Sequence, residues 1–313
     1  MTADVSTAPE TKSRSERLRR VLDNPVMIKE LRSRMRGARA FIVLTVYLLL
    51  LSAFSSLVYV AVSESSLSVS GQSSVGQIGR TLFGGVVAIE MMLVAFIAPA
   101  FTSGAISGER EHQTYDLLRT TLLPAHSFVL GKLLSSMLYV FLLLAAAIPM
   151  QSIAFFFGGV AETELILSFV ILMATALLFS TVGIFFSARS IRTLSASVLT
   201  YSVATFVMFG LPILLGALML ILGFSLDSVG SSTAQIVMLY VAGGMLSANP
   251  AATALLTQYI LLNQRTIGTF SYTLAGGDQV TLISPWIPFT MLYLILTVVF
   301  FLLSVRRARR IED

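Results

Sequence analysis

Side chains able to do chemistry are few in this sequence, and their positions say much about what the protein does. Glu90 is the one ionisable residue set well inside a long apolar run, Leu82–Ile106. At 1.5 Å of helix rise per residue it sits about 12 Å from the outer end of that run. A carboxylate at such depth costs about 2.5 kcal/mol or more if it faces lipid, so it must face protein or water. Two readings stay open: a cation- or substrate-contacting acid on a translocation pathway, or a buried carboxyl bonded to a neighbouring hydroxyl. His112 and His126 are the only histidines and there is no cysteine, so neither a thiolate site nor a histidine-based metal centre can form from this chain. No H-E-x-x-H or G-x-S-x-G occurs. Gly131-Lys132 is not a phosphate-binding loop, because His126 stands where its first glycine belongs and Leu133 follows the lysine. The chain reads as a non-enzyme.

The densest charged stretch is Ser107-Gly108-Glu109-Arg110-Glu111-His112-Gln113-Thr114-Tyr115-Asp116-Leu117-Leu118-Arg119, followed by Pro124 and Gly131-Lys132. It predicts a short charged helix, then leucines, ended near Pro124. Two membrane spans could be joined by a hairpin of a few residues. A loop over 107–132 that carries acids, bases and leucines has the composition of a docking surface.

The elements holding these residues follow from the hydropathy. Of 313 residues, 56% are hydrophobic and 12% charged, with mean hydropathy +0.85. Soluble domains carry about twice that charge. A spanning helix needs about 20 apolar residues. Ala40–Val62, Leu82–Ile106, Leu133–Phe157, Leu165–Ser187, Ala196–Gly223 and Trp286–Val305 meet that need. They predict an all-α integral membrane protein with six transmembrane helices, since isolated strands in lipid leave backbone groups unpaired. Pro99, Pro149 and Pro212 fall inside spans and predict kinks. Ten Lys and Arg lie in 1–39, three in 107–132, two in 188–195 and four after Val305, leaving only Arg80 and Arg265 on the other side. The positive-inside rule then sets both termini in the cytoplasm of a cell-membrane protein. No aromatics interleave the tail arginines, so nucleic acid is not an expected partner.

Three regions flank or interrupt the spans. Residues 1–39 read as a cytoplasmic tail, disordered over 1–20, ending in an amphipathic helix that starts at Asn24-Pro25. Met27, Ile28, Leu31 and Met35 form its apolar face and Lys29, Arg32, Arg36 and Arg39 its basic one, a pattern suited to anionic lipid headgroups or to simple anchoring. The span domain covers 40–305. Within the outer region 224–285, Ala234–Ser247 and Ala251–Leu262 are too short to span and predict re-entrant or interfacial helices before the last span. Residues 306–313 form a basic cytoplasmic tail.

The loop resembles that of permease subunits of ATP-binding-cassette transporters of type 2, the exporter class. Their pattern, Gly-Glu-Arg-Glu, then Thr, Leu-Leu, Pro and Gly-Lys, corresponds to Gly108, Glu109, Arg110, Glu111, Thr114, Leu117, Leu118, Pro124, Gly131 and Lys132; Gln113 stands where the family has glycine. The Asn24 to Gly37 helix and the Arg189/Arg192-Thr193 loop are similar to the family too. This resemblance implies an ATPase-coupling role for Glu109, Arg110, Glu111, Thr114, Leu117, Leu118 and Arg119. It also implies a second permease subunit, identical or not, and two copies of a separate ATPase chain that carries ATP and magnesium. The cofactors would all lie on that partner. The cargo expected from the apolar spans is lipophilic or amphipathic. Two other classes remain open: an ion-coupled secondary transporter using Glu90, and a membrane scaffold or sensor that moves nothing.

Overall fold

The structure, a computed structural model, describes residues 25–35, 38–68, 75–113, 124–221, 232–273 and 279–309. The segment 1–20 expected to be disordered lies outside them, as does Asn24. Among the described residues six helices are long and apolar enough to cross a membrane, so the chain is an all-α multi-pass membrane protein. Helix α1 is Pro25–Met35, and the first three spans are α2 (Ala38–Ser68), α3 (Val75–Thr102) and α5 (Ala125–Phe156), with the short α4 (Ser107–Glu111) between the last two. Span 4 is α6 (Glu162–Arg189). Span 5 joins α7 (Thr193–Thr205), a π-helical turn (Phe206–Gly210) and α8 (Leu211–Ile221). Helices α9 (Ser232–Leu246) and α10 (Pro250–Gln264) precede the last span, α11 (Trp286–Arg309). Six alternating crossings bring α1, α4 and the last turn of α11 to one end of the bundle, here its base.

Span 4 is the centre of the packing. Ile171, Leu172, Ala176, Phe179, Val182 and Ile184 are buried along it, against spans 2, 3 and 6. At Gly183 a side chain is excluded, because a Cβ there would lie 2.1 Å from Thr102 Oγ1. The missing side chain lets spans 2 and 4 touch backbone to side chain. Span 1 is peripheral and exposes Phe41, Ile42, Leu49 and Leu57, the composition that lipid-facing helices need. Residues 157–161 join spans 3 and 4 through Gly158 and Gly159, both at positive φ (79° and 86°), a region open to glycine.

The amphipathic segment and the outer region each differ from expectation in detail. In α1 the buried residues are Val26 and Met27, against α5, while Ile28 is exposed. Of the expected apolar face, Met27 is thus buried and Leu31 half-buried, whereas Ile28 turns outward and Val26 turns inward in its place. Span 3 begins at Ala125, eight residues before the expected Leu133, because nothing in Ala125–Lys132 breaks a helix once Pro124 has set the turn into it. Lys132 is thus a helical residue and not a loop one. In the outer region α9 and α10 meet at a bend of 118°, as two short helices. An antiparallel hairpin follows that was not expected, β1 (Thr269–Thr273) paired with β2 (Gln279–Ile283), Thr269 opposite Ile283.

The π-helical turn of span 5 has a local cause. Pro212 has no N–H to give to the carbonyls one turn earlier. Asn249, at the α9–α10 bend, supplies donors instead: its Nδ2 donates to Val207 O at 2.7 Å and to Met208 O at 3.0 Å. Its Oδ1 also accepts from Ala252 N at 2.8 Å, capping α10. One amide side chain thereby ties the bent outer helices to the π-helical turn in span 5.

Candidate coupling site at the base of the bundle

Four chain segments meet around α4, and hydrogen bonds specify how. The chain leaves span 2 at Thr102, turns, and presents the N–H groups of Ile106 and Ser107 to Ser187 Oγ at 2.8 and 2.9 Å. These are the unsatisfied donors of a helix start, and span 4 satisfies them. Arg110 then reaches the last turn of span 4, its guanidinium donating to Ala188 O at 2.9 Å and Ser190 O at 3.3 Å. Carbonyls at a helix C-terminus carry partial negative charge, so an arginine there is doubly suited.

Glu111 does the opposite for span 5. Its Oε2 accepts from Thr193 Oγ1 at 2.6 Å and from Thr193 N at 3.1 Å, placing a carboxylate on the first N–H of α7. Glu109 points the other way, to Lys132 of span 3. Lys132 Nζ donates to Glu109 Oε1 at 2.6 Å and to Glu30 Oε1 of α1 at 3.1 Å. The lysine side chain is 2% exposed, whereas both glutamates keep about a fifth of their surface. A buried ammonium needs such partners, because desolvation alone would make it expensive. Lys132 also lies 5.2 Å from the Phe128 ring centroid, over its face.

Each of the three charged residues of α4 is therefore bonded within the chain: Glu109 to Lys132 of span 3, which in turn binds Glu30 of α1, Arg110 to the end of span 4, and Glu111 to span 5. The helix ends at Glu111, and two residues further on Gln113 has a left-handed φ of 57°, the conformation glycine adopts most freely just past a helix C-terminus. Thr114, Leu117, Leu118 and Arg119 lie outside the described residues. Lys29 and Arg32 are exposed on α1, and Arg36 and the Arg39 side chain lie outside the described residues.

Glu90 is fully buried and accepts a hydrogen bond from Gln151 Nε2 at 2.6 Å. Its Oε1, Gln151 Oε1 and the Tyr47 hydroxyl make no hydrogen bond among the described residues. The structure joins Glu90 to Gln151, two residues that the sequence could not pair, and holds both within spans 2 and 3. The partners of α4 were also missed. A lysine in the second turn of a span, beside the buried Gly131, was the available signal for the first of them.

No protein-family model matches the chain, and no curated protein matches its sequence. The arrangement has to be interpreted from its own geometry and from the resemblance carried by the α4 sequence. What it offers is mechanical: a short helix fastened at both ends, so that a displacement of α4 is felt by three spans and α1 together.

Proposed function

We propose that the chain is the membrane-spanning permease subunit of an ATP-binding-cassette exporter of type 2. It works as a dimer of six-span subunits, alike or different, with two copies of a separate ATPase chain that binds ATP and magnesium. The base of the bundle faces the cytoplasm, as the distribution of Lys and Arg requires, and the protein resides in the cell membrane. Its cargo is lipophilic or amphipathic.

The single observation that carries this reading is the bonding of α4. A coupling element must receive a push from a partner and pass it to several spans as a rigid unit. Helix α4 bears the Gly-Glu-Arg-Glu sequence, and its three charges hold spans 3, 4 and 5, with α1 joined through Lys132 of span 3. The left-handed Gln113 supports the same reading, since glycine is what the family pattern has there. Leu117 and Leu118, with Thr114 and Arg119 beside them, supply the surface for the ATPase, while Glu109, Arg110 and Glu111 transmit. Lys29, Arg32, Arg36 and Arg39 hold α1 at the headgroup layer.

Purification of the tagged chain from its native membrane tests this: an ATPase chain with a G-x-x-x-x-G-K-[ST] loop should co-elute at equal stoichiometry. Its absence, with the chain intact and active, would remove the proposal. A second reading, an ion-coupled carrier that uses Glu90, draws on the buried Glu90–Gln151 pair. Transport that follows an imposed ion gradient without ATP would favour it.

A further inference from the structure

We propose that Glu164, Ser168, Thr257 and Gln258 form a binding site for one monovalent cation of sodium size, at the far end of the bundle between span 4 and α10. A cavity of about 20 Å³ lies there, bounded on its other side by Phe83 and Val87 of span 2. That volume holds one water-sized guest. Glu164 is 5% exposed and Thr257 3%. Glu164 and Thr257 line the cavity, and Glu164 Oε2 and Thr257 Oγ1 are buried with no hydrogen-bond partner among the described residues.

The donor set is an acceptor set throughout. Glu164 uses only its other oxygen, Oε1, which accepts from Ala161 N at a long 3.4 Å at the start of span 4. Ser168 gives its hydroxyl proton to Leu165 O at 2.8 Å, which leaves the oxygen lone pairs. Gln258 gives an amide N–H to Arg80 O at 3.4 Å, which leaves the side-chain carbonyl oxygen. Arg80 itself is exposed, and its Nε donates to Gly159 O at 2.7 Å; its charge reaches Glu164 only from beyond ion-pair distance. A buried carboxylate stays ionised when it is paired or ligates a metal, and otherwise takes up a proton. A water would satisfy a hydrogen bond yet leave the charge, and a divalent ion would exceed the single negative charge present. Hard oxygen ligands around one carboxylate fit a sodium-sized cation. The site depends only on these residues and not on the transport reading. Because it clamps span 4 to α10, filling it should stabilise the outer helices.

The test is thermal unfolding of the full-length protein in detergent, at constant ionic strength, with NaCl exchanged for choline chloride. Sodium should raise the unfolding temperature saturably, by roughly 3–6 °C between 1 and 300 mM, as ligand linkage requires. Glu164→Gln should abolish the rise while keeping the acceptor for Ala161 N. Thr257→Val, which keeps the charge and the shape, should shift the half-saturating sodium concentration upward by about tenfold. If Glu164→Gln fails to fold, Thr257→Val and direct binding of radioactive sodium to the wild type still decide the matter. Equal unfolding temperatures in sodium and choline, which would leave Glu164 protonated beside a water, or a sodium effect retained in Glu164→Gln, which would place sodium elsewhere, would overturn the proposal.

Discussion

Replacing Lys132 by methionine isolates the ion-pair junction at the base. The ammonium is 2% exposed and lies 2.6 Å from Glu109 and 3.1 Å from Glu30. Methionine keeps the length and the packing against Phe128, but it leaves two carboxylates facing each other. Removing one member of a buried ion pair costs about 3–5 kcal/mol. The glutamates retain a fifth of their exposure, so water relieves part of this and the lower end, about 3 kcal/mol, applies. Glu109→Gln preserves an acceptor and leaves Glu30 to neutralise the lysine, so it should cost only about 1 kcal/mol. Combining Lys132→Met with Glu109→Gln and Glu30→Gln removes every charge, and should recover most of the loss. Thermal unfolding in detergent, followed by the fluorescence of the single tryptophan, Trp286, should show a drop of about 6 °C for Lys132→Met and about 2 °C for Glu109→Gln. If the lysine variant melts with the wild type, or if the triple variant is worse than the single one, the junction does not hold the base together.

Asn249→Leu should lose about 2–4 kcal/mol, since it orphans Val207 O and Met208 O and uncaps α10; proteolysis of the outer region would report the loosening. Gln113→Gly should raise stability by up to about 1 kcal/mol, because it relieves a left-handed residue, and thermal unfolding would detect it; a loss instead would mean that the side chain makes contacts of its own. Glu90→Gln should leave the fold intact, as an amide is nearly isosteric, yet lower transport if the acid contacts cargo or a coupling ion. Unchanged cargo flux in reconstituted vesicles would leave Glu90 as a buried partner of Gln151.

The spans were legible because lipid imposes one demand, about 20 apolar residues, that a hydropathy pattern satisfies or fails. Their ends were less so. Ala125–Lys132 carries histidine, serine and lysine, which a pattern reads as loop, whereas Pro124 and the pairing of Lys132 extend the helix through them. The β-hairpin was missed although Thr269–Thr273 and Gln279–Ile283 hold the aromatic and β-branched residues that favour strands; the surrounding helical runs outweighed it. At the site, the Gly-Glu-Arg-Glu sequence marked α4 correctly as a helix. Its partners could not be read, since Lys132 meets Glu30 across 102 positions and Thr193 meets Glu111 across 82. Pairings at that range arise from tertiary packing, to which local pattern is blind. The same holds for Glu90 and Gln151, 61 positions apart.

Capture of the ATPase by wild type and variants tests the coupling claim most directly. Binding energy in an interface concentrates in a few apolar anchors, so Leu117→Ala with Leu118→Ala should abolish ATPase capture while the chain still inserts and dimerises. Glu109→Gln, whose carboxylate is engaged with Lys132 inside the chain, should keep capture but weaken cargo-stimulated ATP hydrolysis. Full capture and full stimulated hydrolysis by the double-alanine variant would contradict the account, because the 107–132 loop would then not be what couples the ATPase to the spans.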